Sequence, residues 1–277
     1  KTHKASNTAF RGFGGPQGML VIEEIIDRIA RSLQLPPETV RERNFYHGEG
    51  ETNTTHYGQE LFDNRLDQVW NQVKASAHFF DRRQALAQFN QSSPYKKRGL
   101  AITPVKFGIS FNKTQFNQAG ALILIYTDGS IQLNHGGTEM GQGLHTKMLQ
   151  VAAKALGVKI DRFRLMPTST DKVPNTSSTA ASAGADLNGQ AVKDACDTLK
   201  ARLAPVAARM LHLDAPEDLT FADDWIYSSS YPRDRVSFEQ VVQAAYDDRV
   251  SLSATGFYRT PNIYWDAATS KGRPFYY

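Results

Sequence analysis

Cysteine is nearly missing from this 277-residue chain, with Cys196 standing alone. One thiol excludes a disulfide framework, a cysteine zinc site and any iron–sulfur cluster ligated within the chain, and it suits a reducing cytoplasm. No apolar run approaches the about 20 residues that cross a bilayer. The opening "KTHKASNTAF" has lysines but no apolar core or cleavage pattern behind them, so it does not read as a secretory signal. Like charges never gather in long blocks. The 32 basic and 28 acidic residues are spread along the chain and leave a formal +4, which argues against a nucleic-acid partner. Internal repeats are absent too, as is the Gly-x-Ser-x-Gly signature of a nucleophile elbow.

What is present is an ordinary apolar complement, 40% of residues, in a chain long enough for two compact units. Ile22, Ile25, Ile26, Ile29 and Leu33 recur at helical spacing and predict a helix over 17–33. "LPPETVRERNFY" opens a second short helix on its prolines, and the polar stretch to about residue 60 reads as a loop. Two further helices are expected over 63–76 and 80–90. At Arg98 the character changes. "RGLAITPVKFGISF" reads as a strand, and "GALILIYTDGSIQLNHGG" as a hairpin turning at Thr127-Asp128-Gly129-Ser130. "GLHTKMLQVAAKALG" followed by "VKIDRFRLMP" completes a β-α-β element. A hydroxyl-rich loop then leads into the alanine-rich helix "AVKDACDTLKARLAPVAARML", a helix "SFEQVVQAAYDDR" and a strand "VSLSATGFY". The expected class is α+β, a mixed sheet with packed helices. Its helical piece covers 1–96 and its α+β piece 97–277.

Three small-residue loops stand ahead of helices. "RGFGGPQG" is neither a Walker loop nor a dinucleotide fingerprint, so it reads equally as a turn and as backbone pressed against a ligand. "HGGTEMGQGLHT" sets Gln142 between glycines, where its amide can donate and accept; a plain β-to-α turn is the alternative. His135, Glu139 and His145 invite a metal reading, but their spacing is not H-E-x-x-H. "TSSTAASAG" offers backbone donors or simple caps. Together the loops point to an extended, anionic, polar ligand held by main-chain groups. Phe107 and Phe111, four apart on an expected strand, would share a face, as core or as the wall of a planar site. Cys196 falls inside a helix as packing.

The segments "FRGFGGPQGM", "KFGISF", "NQAGALILIYTDGSIQLNHGGTEMGQGLHTKM", "VPNTSSTAAS" and "SLSATGFYRTPN" closely resemble, in the same order, the molybdenum-cofactor-binding part of the xanthine dehydrogenase family. The resemblance implies the molybdopterin-binding fold of the xanthine oxidase and aldehyde oxidase type, with this chain an internal part of it. It implies hydroxylation of hypoxanthine and xanthine to urate with water-derived oxygen. Electrons then pass to 2Fe–2S clusters and FAD on other domains or subunits of a cytoplasmic, oligomeric parent. By the same resemblance Arg11 lies beside the molybdenum, with the backbone at Ala181 near the metal. Phe13 and Phe111 sandwich the purine, with Asn112 adjoining the substrate, and Met140, Gly141, Gln142, Ala181 and Ser182 line the cofactor. Asn112 departs from the threonine of vertebrate members, and Gly184 from a serine found in some. The family's general base, a glutamate in a "GEPP"-like segment, is not in this sequence, so the chain alone is expected to be inactive. The alternatives are an aldehyde oxidase-type hydroxylase and a non-catalytic cofactor or assembly scaffold.

Overall fold

The computed structural model describes residues 3–5, 9–48, 50–172 and 175–277. Thr8 at the head of the first glycine loop, Glu49 in the polar linker, and Val173 and Pro174 in the hydroxyl-rich loop lie outside the described residues. The chain forms two compact units, Lys1–Phe107 and Gly108–Tyr277; the compositional change near residue 96 falls within the first.

The first unit is helical. Helix α1 (Gly15–Leu33) starts behind Gly14 with a proline in its first turn, where the missing N–H costs nothing. It ends at Gln34, whose left-handed backbone lets its N–H donate to Ala30 and Arg31 carbonyls. The chain turns at once into α2 (Pro37–Glu42), and Ile26 and Ala30 pack with Val40. Charge reinforces this small core: Arg41, almost fully buried, donates from Nε to Glu23 at 2.8 Å and reaches Asp27 at 3.3 Å. Glu42 accepts at 2.6 Å from both Trp70 Nε1 and Lys74 Nζ, tying α2 to α3 (Leu66–Ser76), while Arg83 of α4 (Phe79–Ser92) pairs with Glu38.

The second unit carries the main core. In β1 (Gln118–Ile125) Ala119, Ala121, Ile123 and Ile125 are buried at period two. The chain then turns through Gly129 (φ +79°), with the Asp128 carboxylate accepting the Ser130 N–H at 2.9 Å. β2 (Ile131–His135) returns antiparallel, α5 (Leu144–Leu156) crosses over, and β3 (Phe163–Leu165) lies parallel to β2. Helix α6 (Gly184–Met210) packs its alanine-rich face on this layer. After it come β4 (Leu219–Ala222), β5 (Trp225–Ser228), β6 (Arg235–Ser237) and α7 (Phe238–Asp247), the last opened by a Ser237–Gln240 capping box. β7 (Ser253–Arg259) closes the main sheet in the order β3-β2-β1-β7, and β8 (Tyr264–Asp266) pairs with β9 (Lys271–Arg273).

Hairpin, crossover and helices match expectation. The strand over 98–111 does not form: Ile109 makes one isolated bridge to Tyr276, and Ser110 at φ +101° leaves the extended region. Phe107 and Phe111 therefore do not share a strand face. Helix α6 begins seven residues before the expected 191, because "GADLNGQ" is helix rather than loop. The small sheet β4-β5-β6 and the β8-β9 pair were not anticipated.

Candidate cofactor site

In the second unit three segments converge. The loop between β2 and α5 is fixed to the segment before α6 by the Thr138 N–H, which donates to Thr179 Oγ1 at 2.8 Å. That segment is fixed to the chain before β1 by the Ser110 N–H, which donates to the Ala181 carbonyl at 3.1 Å. Phe111 follows directly. Its N–H donates to Asn117 Oδ1 and its carbonyl accepts from Asn117 Nδ2, both at 2.8 Å, with Asn117 only 1% exposed. The ring of Phe111 packs edge-on against Phe116 at 5.5 Å between centroids. The segments carrying Phe111, Met140–Gln142 and Ala181–Ser182 are thus tied together by the Thr138–Thr179 and Ser110–Ala181 bonds, and Asn112 is exposed on the first of them.

The two helix starts in this cluster differ. At α5 the carboxylate of Glu139 accepts from the N–H groups of Gly141 (2.8 Å), Gly143 (3.0 Å) and His145 (3.1 Å). Those donors, led by the His145 amide, hold its carboxyl down to about 2. Glu139 is therefore an ionised cap, with no role open to it as a proton acceptor near neutrality. Gln142 folds back on the loop, accepting from the Met140 N–H at 2.6 Å and donating to the Thr138 carbonyl at 2.9 Å. Its amide keeps one N–H and one lone pair beyond these bonds. The side chain of Met140 stays exposed.

At α6 the N-cap is Ala183, and among the described residues no side chain accepts from the first-turn amides, although Asp186 lies in that turn. Ala181 and Ser182 take left-handed backbone (φ +51° and +55°), a costly conformation for residues with a Cβ. Asn188, nearly fully buried, donates from Nδ2 to the Gly184 carbonyl at 2.8 Å, while its Oδ1 has no partner among the described residues. A start of small residues, strained toward a fixed shape with its first-turn amides unclaimed by side chains among the described residues, fits an anionic, oxygen-rich group such as the phosphate of a pterin cofactor; the unpaired Asn188 oxygen is an acceptor and would take a donor instead.

Gly137 is required by closeness: a Cβ there would lie 2.5 Å from Leu144 Cδ2 and 3.1 Å from His135 Nδ1. The Gly137 N–H donates to that Nδ1 at 3.0 Å, and Thr168 Oγ1 donates to the His135 and Gly137 carbonyls at 3.3 Å. Burial, then the charge of His145, pushes the His135 imidazole down to about 4. Among the described residues no three His, Cys, Asp or Glu side chains gather as a metal set. The oxygens of Glu139 and both nitrogens of His135 are already bonded, which removes the metal reading of that trio.

In the first unit Arg11 and Phe13 sit just ahead of α1, both exposed, with Phe13 at φ +47° and its N–H donating to the Phe10 carbonyl at 2.7 Å. Asn117, Thr179 and the His135–His145 contact were not anticipated as site groups. Asn117 carried a faint signal as a polar residue just ahead of an apolar strand; the other two depend on contacts distant in sequence.

The fold matches parts of larger solved oxidoreductases. Quinoline 2-oxidoreductase from Pseudomonas putida 86 superposes with TM-score 0.74 at 24% identity, covering 97% of this chain and 37% of that one. Reconstituted CO dehydrogenase from Oligotropha carboxidovorans gives 0.77 at 20% identity, covering 94% and 34%. Models described as molybdopterin cofactor-binding domains match residues 72–277 and 1–45, and the chain belongs to that family. Among curated relatives it is 46% identical to xanthine dehydrogenase/oxidase of Gallus gallus and 48% to that of Felis catus, over all of this chain. The chain spans 18% and 19% of those proteins.

Proposed function

We propose that this chain is an internal part of the molybdenum-binding region of a xanthine dehydrogenase that converts hypoxanthine and xanthine to urate. The observation that carries the reading is identity of 46–48% to xanthine dehydrogenase/oxidase over the entire chain. The family's cofactor supplies the two-electron redox chemistry and the transfer of water-derived oxygen when bound.

The chain's own part is binding and orientation. The uncapped start of α6, with Ala181 and Ser182, would meet the anionic part of the cofactor, and Met140, Gly141 and Gln142 its heterocycle. Gln142 brings one free donor and one free acceptor to that edge. Arg11, and the backbone at Ala181, are assigned to the side of the molybdenum. Phe13, Phe111 and Asn112 are assigned to the purine, with Phe111 held by Asn117. Electron transfer belongs to iron–sulfur and FAD domains or subunits of an oligomeric, cytoplasmic parent. Domain limits near residue 96 go with this reading, the first piece ending one molybdenum-binding subdomain and the second beginning the next. With no "GEPP"-like glutamate in the sequence and Glu139 committed as a cap, this reading assigns no general base to the chain.

The test is a substrate panel on the full-length protein, with molybdenum and pterin assayed alongside. Urate formation from xanthine is the expected result, and turnover of aldehydes without xanthine would move the assignment to an aldehyde oxidase. Absence of pterin would leave only a scaffold. The isolated 277-residue chain should form no urate above buffer.

A further inference from the structure

His135 and His145 were singled out by sequence and left unused by the metal reading, yet their rings touch, with centroids 5.2 Å apart and planes at 66°. His135 Nε2 lies 3.2 Å from His145 Nδ1, and His135 is only 1% exposed. Bond directions fix the protons. Because the Gly137 N–H donates to His135 Nδ1, that nitrogen carries a lone pair. The neutral ring therefore bears its hydrogen on Nε2 and donates it to His145 Nδ1. The hydrogen of His145 is left on its own Nε2. Only two neutral rings satisfy every bond. A further proton on His145 must go to Nδ1, where it opposes the His135 N–H; one on His135 must go to Nδ1, where it opposes the Gly137 N–H.

We propose that His145, acting through His135, is a positioning residue for the Met140–Gln142 loop: the two rings form a tautomer-locked relay that anchors Gly137 at the loop's head. The assignment of that loop to the pterin rests on the functional reading above; the relay itself rests on the bonds alone. The groups facing the pair are few. Glu139, on the same loop, accepts the His145 backbone N–H and supplies the negative charge. Helix α6 contributes the neutral amide of Asn188, 3.0 Å from where a Gly137 Cβ would sit, and the segment after β3 contributes the neutral Thr168 hydroxyl. From β1 the residue opposite His135 is Ala121.

The experiment uses the full-length protein and amide hydrogen exchange over 136–144, with 118–125 in β1 as the internal reference. H145L removes the acceptor and orphans a buried N–H; exchange in the loop should quicken about tenfold or more while β1 stays unchanged. H145N keeps an acceptor in the Nδ1 position that cannot be protonated, and should restore slow exchange. Between about pH 7.5 and about pH 5, where histidines titrate, the wild type should loosen in the loop after correction for intrinsic rates, and H145N, which keeps only the His135 contribution, should loosen markedly less. Pterin content should fall in H145L and hold in H145N. Equal exchange in all three proteins, or the same acid loosening in H145N as in the wild type, overturns the proposal. Should H145L fail to fold, the pH comparison of wild type and H145N decides. If the wild-type protein carries no pterin, the functional reading fails, and the exchange data still judge the relay.

Discussion

Gly256 sits in β7 where α6 crosses it, and a single methyl there tests the packing that places the α6 start. A Cβ at Gly256 would lie 2.0 Å from the Ala191 carbonyl oxygen and 2.6 Å from the Ala195 nitrogen. Both obstacles are helix backbone, so no side chain can rotate away. To recover an ordinary approach of about 3.5 Å, α6 must retreat by roughly 1.5 Å, opening the layer formed by Ala191, Ala195 and Leu199, each 0% exposed. Overpacking of this kind costs about 1–3 kcal/mol, and an immovable obstacle puts Gly256→Ala at the upper end, about 3 kcal/mol. For a unit of this size each kcal/mol shifts the midpoint by about 2–4 °C, so Tm should fall by about 6–12 °C. Thermal unfolding of the purified variant by circular dichroism reads this directly. Gly141→Ala is the control: nothing lies within 4 Å of its Cβ, and only its φ of +91° is strained, at a cost of about 1–2 kcal/mol. A Gly256→Ala midpoint within about 2 °C of wild type, or a larger loss from Gly141→Ala, would refute the claim that α6 is seated by contact with β7.

Asn117→Ala should cost about 2–3 kcal/mol, because it strips partners from both backbone groups of Phe111. In the full-length enzyme it should raise KM for xanthine more than it lowers kcat, and an unchanged KM would detach Phe111 from substrate. Cys196 is 0% exposed and burial pushes its thiol up to about 12, so maleimide should label it only after unfolding; rapid labelling of the native protein would contradict the packing of α6. His135 gives a pH signature. Its folded value of about 4 lies below the ordinary 6.5, so the stability it contributes is complete above 6.5 and is lost as pH falls toward 4. The loss should reach about 3 kcal/mol, read as the drop in urea midpoint across that window, and His135→Gln should flatten it. A wild-type midpoint with no such drop would place the ring in water.

How much of this was legible beforehand follows the range of the interactions. The β1–β2 hairpin could be read because Thr127-Asp128-Gly129-Ser130 encodes its own turn, and Asp128 closes it within two residues. Helices α5 and α7 announce themselves by periodicity and by local caps. The failed strand before Phe111 carried the right composition. Its backbone is bent by Ser110 and pressed at Gly108 against Phe275, where a Cβ would lie 2.7 Å away, and those forces come from the far end of the chain. Strands of three or four residues such as β4, β5 and β6 are too short to show a period. The site follows the same rule. Its glycine loops were visible as loops ahead of helices, but the bond from Thr138 to Thr179 spans 41 residues and leaves no trace in local sequence. The His135–His145 contact was close in sequence and still missed, because glycines between them give no fixed geometry until Glu139 folds the loop back onto α5.

That folding back decides which helix start can meet a charge. Both α5 and α6 present the positive end of a helix dipole, and a glycine-based reading treats them alike. Glu139 breaks the equivalence. Its ionised carboxylate already takes the amides of Gly141, Gly143 and His145 at the start of α5, so a second anion there would find fewer donors and would face a like charge. The loop before α5 is left with neutral chemistry: the Met140 side chain, and one donor and one acceptor of Gln142. Helix α6 carries one carboxylate in its first turn, Asp186, but among the described residues that side chain takes none of the helix's amides, and Ala181 and Ser182 ahead of it are small. The two starts are therefore inequivalent for a ligand with a phosphate at one end and a heterocycle at the other, and the difference lies in how Glu139 and Asp186 are placed rather than in the glycines that made the loops conspicuous.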